Sequence, residues 1–214
     1  ILHDITELKR TEQSLREALK EKDFLMRELN HRTKNNLSLV SSLISLKETE
    51  IRNDLSDLRH RIDAIALVHD KLNQYNEINR IKVKEYLQEL LEAVFSTFTL
   101  RKVEIVNTVE EISIPTNTAV PLGIAVNEIA VNAIKYGFRE GEEARFTVGL
   151  TEDTVRGRYV LTLSNSGSPF PEEISLDNPA SLGLQLVSAL VEQMNGTIEL
   201  KRRPYPVFTI RFPL

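Results

Sequence analysis

Apolar positions at the start of the chain recur at alternating steps of three and four. Ile5, Leu8, Leu15, Leu19, Met26 and Leu29 form a seam interrupted by Glu12 and Lys22, the pattern of a heptad-repeat helix. The spacing predicts a long helix over about residues 4–47, opened by "DITE", where Asp4 caps and Glu7 reciprocates three residues later. The seam re-phases through Leu37, Val40 and Ile44. After a turn near residues 48–52, Ile51, Leu55, Leu58, Ile62, Ile65, His69 and Leu72 step by four and three again. Two amphipathic helices with a short connection make an antiparallel hairpin. One hairpin has too little core to stand alone, so pairing with a second copy into a four-helix bundle, a homodimer, is expected.

The pattern changes in the second half. "VKEYLQELLEAVFSTF" (83–98) reads as a third helix, and "KVEIVNTVEEISI" (102–114) as strand ending at Pro115. A largely apolar helix over 117–138 carries Asn127, Glu128, Asn132 and Lys135 against its own trend. "ARFTVGLTED" and "GRYVLTLSNS" alternate as two strands. Residues 167–181 hold the Pro, Gly, Asn and Ser of a flexible loop, 182–196 a helix stopped by Gly196, and "TIELKRR" with "PVFTIRF" the closing strands. The predicted class is α+β: a helical hairpin followed by an α/β sandwich, a mixed sheet with helices on one face. The expected division is a linker over 1–22, the hairpin over 23–80 and the sandwich over 81–214.

Composition narrows the possibilities. The 214 residues are 41% apolar and 27% charged, with net charge −4, so no general attraction to nucleic acid or anionic membrane is expected. With no Cys, disulfides and thiolate chemistry are excluded, in keeping with a reducing, cytoplasmic setting. No run of about 18 apolar residues exists to span a membrane. The first residue is Ile, and the chain is expected to be a fragment of a longer protein.

Four clusters carry candidate chemistry. Glu128 and Asn132 share a helix face one turn apart, as do Asn132 and Lys135. An amide oxygen at Asn132 could ligate Mg²⁺ together with triphosphate oxygens, Lys135 could meet phosphate, and Glu128 could orient or deprotonate a nucleophile. Gly183 opens a helix whose free N–H groups suit phosphate. Asn165 and Gly167 end a strand, where an amide and an approachable backbone could meet a ligand. His31 lies in "LNHRTKNNL" on the outward face of its helix, among amides and cations. His60 has no such amide cluster, and His69 falls on the apolar seam. A neutral imidazole is a competent nucleophile.

Together these residues resemble the catalytic core of a two-component sensor histidine kinase. "HRTKNN" (31–36) resembles the phosphoacceptor box of the HWE and related HisKA-type kinases, "NEIAVNAIKYGF" (127–138) their N box, and "SLGLQLVSALVEQMNGTIEL" (181–200) their second glycine box. "DITELKRTEQSL" (4–15) resembles the end of a PAS sensor domain entering a signalling helix. The resemblance implies a GHKL-type ATP-binding fold, shared with gyrase and Hsp90-type ATPases, and ATP with Mg²⁺ as cofactors. It implies His31 as phosphoacceptor, Glu128 as base and Asn132 as the Mg²⁺ ligand. Lys135, Tyr136, Asn165, Gly167, Leu182, Gly183 and Leu184 would line the nucleotide. Asn35, one turn after His31, would hold an attacking water in any phosphatase reaction. The partner would be the receiver domain of a response regulator. The adenine box departs from the family at two positions: Asp-x-Gly-x-Gly is matched by Asn165, Gly167 and Pro169, and at Asn165 a neutral amide can accept from or donate to a base edge. A catalytically weak dimeric phosphotransfer or scaffold protein that binds response regulators is the alternative reading.

Overall fold

The chain divides into two compact units, Ile1–Ile51 and Arg52–Leu214. The computed structural model describes Gln13, Arg16, residues 80–176 and residues 181–214. Gln13 and Arg16 are helical and exposed. The positions of the coiled-coil seam, the hairpin up to residue 79, His31 and Asn35 lie outside the described residues.

In the second unit, β1 (Arg80–Lys82) leads directly into α1 (Val83–Phe98). The apolar spacing of α1 buries Val83, Tyr86, Leu87, Leu90, Leu91, Val94 and Phe95 along one stripe. The helix ends where Thr99 turns extended. The predicted strand over 102–114 is in fact β2 (Val103–Asn107) and β3 (Ser113–Pro115), in different sheets. Asn107 divides them: its Oδ1 accepts from the Val109 N–H, and its Nδ2 donates to the Lys84 carbonyl and to Gln88 Oε1 on α1. β3 then pairs antiparallel with β1, setting Ile114 against Ile81.

The helix expected over 117–138 is α2 (Thr116–Asn132) followed by a π-helical turn, Ala133–Gly137. The Phe138 N–H reaches back five residues to the Ala133 carbonyl. Burial is continuous from Pro121 to Ala130, as expected for a helix covered on all sides. The five-stranded sheet runs β2–β4 (Ala144–Asp153)–β5 (Arg158–Asn165)–β7 (Val207–Pro213)–β6 (Thr197–Lys201). β2 and β4 are parallel and the other pairs antiparallel. Along β5 every second residue is buried: Tyr159, Leu161, Leu163, then Asn165. The strand period that builds the core therefore delivers an amide to the same face at the strand's end.

α3 (Leu182–Gln193) is capped by Ser181, whose Oγ accepts from the Leu184 N–H at 3.4 Å. Its stop is not Gly196 as expected. Asn195 takes the left-handed turn at φ 53°, and the Gly196 N–H reaches the Val191 carbonyl. Gly196 instead permits close approach, since a Cβ there would lie 2.6 Å from the Arg211 carbonyl oxygen.

Candidate functional site

A cavity of about 300 Å³ opens between α2, the π turn, the end of β5 and the start of α3. Glu128, Asn132, Lys135, Tyr136, Asn165, Gly183 and Leu184 line it. Three segments far apart in sequence thus supply one wall each. Glu128 and Asn165 are each 6% exposed, Asn132 is half-buried, and Tyr136 stands at the rim, largely exposed. Leu182 opens α3. Gly167 is not part of the lining: its contribution is to the wall's construction.

That construction joins the π turn to the loop after β5. Gly137 lies against the Asn165 side chain so closely that a Cβ would sit 2.4 Å from Nδ2. The Ser168 N–H donates to the Gly137 carbonyl at 2.8 Å. Gly167, at φ 102°, passes over the same carbonyl, and a Cβ there would meet that oxygen at 2.3 Å. Only glycine fits both constraints. Gly167→Ala is expected to lower stability by about 1–3 kcal/mol through backbone strain plus the clash. Thermal denaturation of the purified protein would read this as a drop of several degrees.

The loop that follows is anchored along its described part. Ser168, Pro169, Phe170, Pro171 and Ile174 line the cavity. Arg202, at the end of β6, donates to the carbonyls of Pro171 at 2.5 Å and Ile174 at 2.7 Å. Its guanidinium also lies over the Phe170 ring at 5.7 Å, and that ring packs edge-on against Phe208. The start of the loop expected to be flexible is therefore held by a cation from a distant strand.

The sequence reading passed over Gly137, Phe170 and Arg202, and it noted Asn127 in its apolar helix without giving it a role. Asn127 is 1% exposed, borders the cavity, and its Oδ1 has no hydrogen-bond partner. A buried amide oxygen left unpaired is costly unless a ligand or water donates to it. Its place in the apolar run of α2 was the available signal.

Residues 28–98 match the family described as histidine kinase, and residues 117–214 the family described as histidine kinase-, DNA gyrase B- and HSP90-like ATPase. The chain thus carries a histidine kinase segment followed by an ATPase-type domain of the histidine kinase kind. The second match implies ATP binding by the domain that contains the cavity. A similar curated protein is sensor histidine kinase PdtaS of Mycolicibacterium smegmatis, 30% identical over 212 residues, covering 95% of this chain and 41% of that protein. Blue-light-activated histidine kinase 2 of Erythrobacter litoralis is 22% identical over 190 residues, covering 85% of this chain and 54% of its own length. This chain thus spans about 40% of the length of the PdtaS relatives it matches. Among solved structures, the EL346 blue-light activated histidine kinase of Erythrobacter litoralis superposes with a TM-score of 0.68 at 20% identity, covering 88% of this chain and 62% of that one. The catalytic domain of histidine kinase ThkA superposes at 0.52 and 17% identity, covering 63% of this chain and 93% of its own. These likenesses establish the fold: a histidine kinase architecture whose second part is a GHKL α/β sandwich.

Proposed function

We propose that the protein autophosphorylates His31 from ATP and passes the phosphoryl group to an aspartate on the receiver domain of a response regulator. The supporting observation is the gathering of Glu128, Asn132, Lys135, Asn165 and the α3 start around one cavity in an ATPase-type domain. The base would lie toward Asn165, and the triphosphate would run toward Asn132, Lys135 and the N-terminus of α3, whose N–H groups and dipole favour anions.

The donor set suits magnesium. Asn132 offers one neutral amide oxygen on the cavity wall, and Mg²⁺ takes few protein oxygens beside phosphates and water. The unpartnered Asn127 Oδ1 could accept from an ordered water in the same cavity. Bound there, the ion would neutralise charge on the phosphate oxygens.

The reaction then rests on position. A ring nitrogen of His31 would supply its lone pair to the γ-phosphorus as the bond to the β–γ bridging oxygen breaks and ADP leaves. The imidazole must come in line with the γ-phosphate for this to occur. Glu128 would accept the proton that the ring loses. Glu128→Gln is expected to lower the autophosphorylation kcat by about 10²–10⁴-fold with little change in the KM for ATP. Single-turnover labelling checks it.

The same proposal includes a homodimer built by the hairpin, an upstream PAS-like sensor domain and a cytoplasmic setting. No described helix is long and apolar enough to cross a membrane. Asn35 would hold the attacking water if the protein also dephosphorylates its regulator. The domain division at residues 22 and 80 belongs to this reading as well.

Incubation with [γ-³²P]ATP and Mg²⁺ tests the function. Acid-labile, base-stable label on the protein supports it, because phosphohistidine has that stability. Release of inorganic phosphate with no labelled protein would mean an ATPase acting on water. Binding of a receiver domain with neither label nor release would mean a scaffold.

A further inference from the structure

We infer that Arg202 is a positioning residue for the nucleotide: it holds one wall of the cavity ready for the ligand, so that its loss weakens ATP binding and spares the phosphoryl-transfer step. The inference rests on the nucleotide reading above and deepens it, by assigning part of the affinity to a side chain on the turn between β6 and β7. The neighbouring Arg203 has no such role, because it makes a different kind of contact.

The wall is built from residues that cannot order themselves. Pro169 and Pro171 have no backbone N–H, so residues 168–171 offer two main-chain donors, Ser168 and Phe170. Both are spent on fixing the segment from outside. The Ser168 N–H goes to the Gly137 carbonyl and the Phe170 N–H to the Arg202 carbonyl at 3.2 Å. The Arg202 side chain then returns across the same gap, donating to the carbonyls of Pro171 and Ile174 and lying over the Phe170 ring. One residue thus meets the loop at four points. These contacts join two parts of the cavity lining: Phe170, Pro171 and Ile174 on the loop, and Pro206 and Phe208 beyond the turn. The edge-on contact of Phe170 with Phe208 closes the seam between them. Arg202 does not itself line the cavity, so its effect on a ligand passes through these residues.

Arg203 supplies the contrast. Its guanidinium pairs with Glu172 at 2.6 Å, but the two side chains are 71% and 70% exposed. Such a pair contributes little, and salt screens it. Arg202 is half-buried and bonds main-chain oxygens, whose position sets the wall directly. When the guanidinium is removed those carbonyls can turn to water, so the domain need not unfold. What is lost is order in the empty site. The ligand must then restore that order on binding, and its affinity falls accordingly. The contacts named fall on the loop, whereas Glu128 and Lys135 sit on α2 and the π turn. Transfer from bound ATP is therefore expected to proceed as before.

The test compares the unaltered protein with Arg202→Ala, Arg202→Lys and Arg203→Ala, by calorimetry for Mg-ATP affinity and by [γ-³²P]ATP labelling for kcat and KM. Arg202→Ala should bind Mg-ATP about tenfold more weakly and raise KM by a similar factor, with kcat within about twofold. Arg202→Lys keeps the charge but has no planar fork to span two carbonyls, so it should fall between. Arg203→Ala should stay within about twofold of the unaltered protein in affinity, KM and kcat. Glutamyl endopeptidase reads the wall itself. Without nucleotide, cleavage after Glu172 and Glu173 should be slower in the unaltered protein than in a free peptide of residues 168–176, and faster in Arg202→Ala than in the unaltered protein. Unchanged affinity in Arg202→Ala would overturn the inference and leave the nucleotide reading standing. A fall in kcat with KM unchanged, or an equal loss of affinity in Arg203→Ala, would overturn it in the same way. Absence of Mg-ATP binding by the unaltered protein would overturn both. If the variants fail to fold, the unaltered protein decides: cleavage as fast as in the free peptide would mean that the wall is not held, and slower cleavage would support the inference.

Discussion

His31→Gln should leave the protein without acid-labile label from [γ-³²P]ATP while its affinity for Mg-ATP stays within about twofold. Glutamine keeps roughly the length and polarity of the side chain but has no nucleophilic nitrogen at neutral pH. A loss of at least about a hundredfold is expected, since covalent capture has no substitute once the nucleophile is gone. The retained affinity matters equally. The cavity draws its walls from α2, β5 and α3, and none of these contains residue 31. Loss of label with loss of binding would point to a folding defect. Persistence of label would move the phosphoacceptor to another residue, and His60 and His69 are the first to test.

The second large effect is expected at Asn132. Asn132→Ala removes the amide oxygen proposed to meet the metal without emptying much volume, because the residue is half-buried at the cavity wall. Mg-ATP affinity should fall by about 100-fold, equivalent to ~2.7 kcal/mol. Binding of ATP in EDTA, with no metal to hold, should differ little between the two proteins. That pairing of titrations separates loss of a metal ligand from general damage to the pocket. An equal loss with and without Mg²⁺ would mean that Asn132 supports the cavity and does not ligate the ion. Asn132→Asp keeps an oxygen but adds charge beside the triphosphate, so its effect should be intermediate and should depend on ionic strength.

Much of the second unit could be read from side-chain period alone. The seven buried residues of α1 follow the helical repeat, and its limits of Val83 and Phe98 coincide with the expected ones. β4 and β5 alternate in strand fashion and were visible for the same reason. What escaped the pattern depends on contacts distant in sequence. β1 is three residues long and is a strand only because Ile81 meets Ile114 on β3. The break after Asn107 comes from an amide that bonds at once to its own backbone and to α1.

The site shows the same division. Glu128, Asn132 and Lys135 stood out as polar residues in an apolar helix, a local signal. Gly137 looked like an ordinary helix end. Its role appears only once Asn165, on another element, is packed against it. Arg202 likewise gave no hint from its neighbours that it would hold the carbonyls of Pro171 and Ile174.

A crystal structure with Mg²⁺ and a non-hydrolysable ATP analogue tests the account most directly. The base should lie against Asn165, the metal against Asn132, and the phosphates between Lys135 and the first turn of α3. An analogue bound elsewhere, or a cavity still unfilled at saturating analogue, would contradict it.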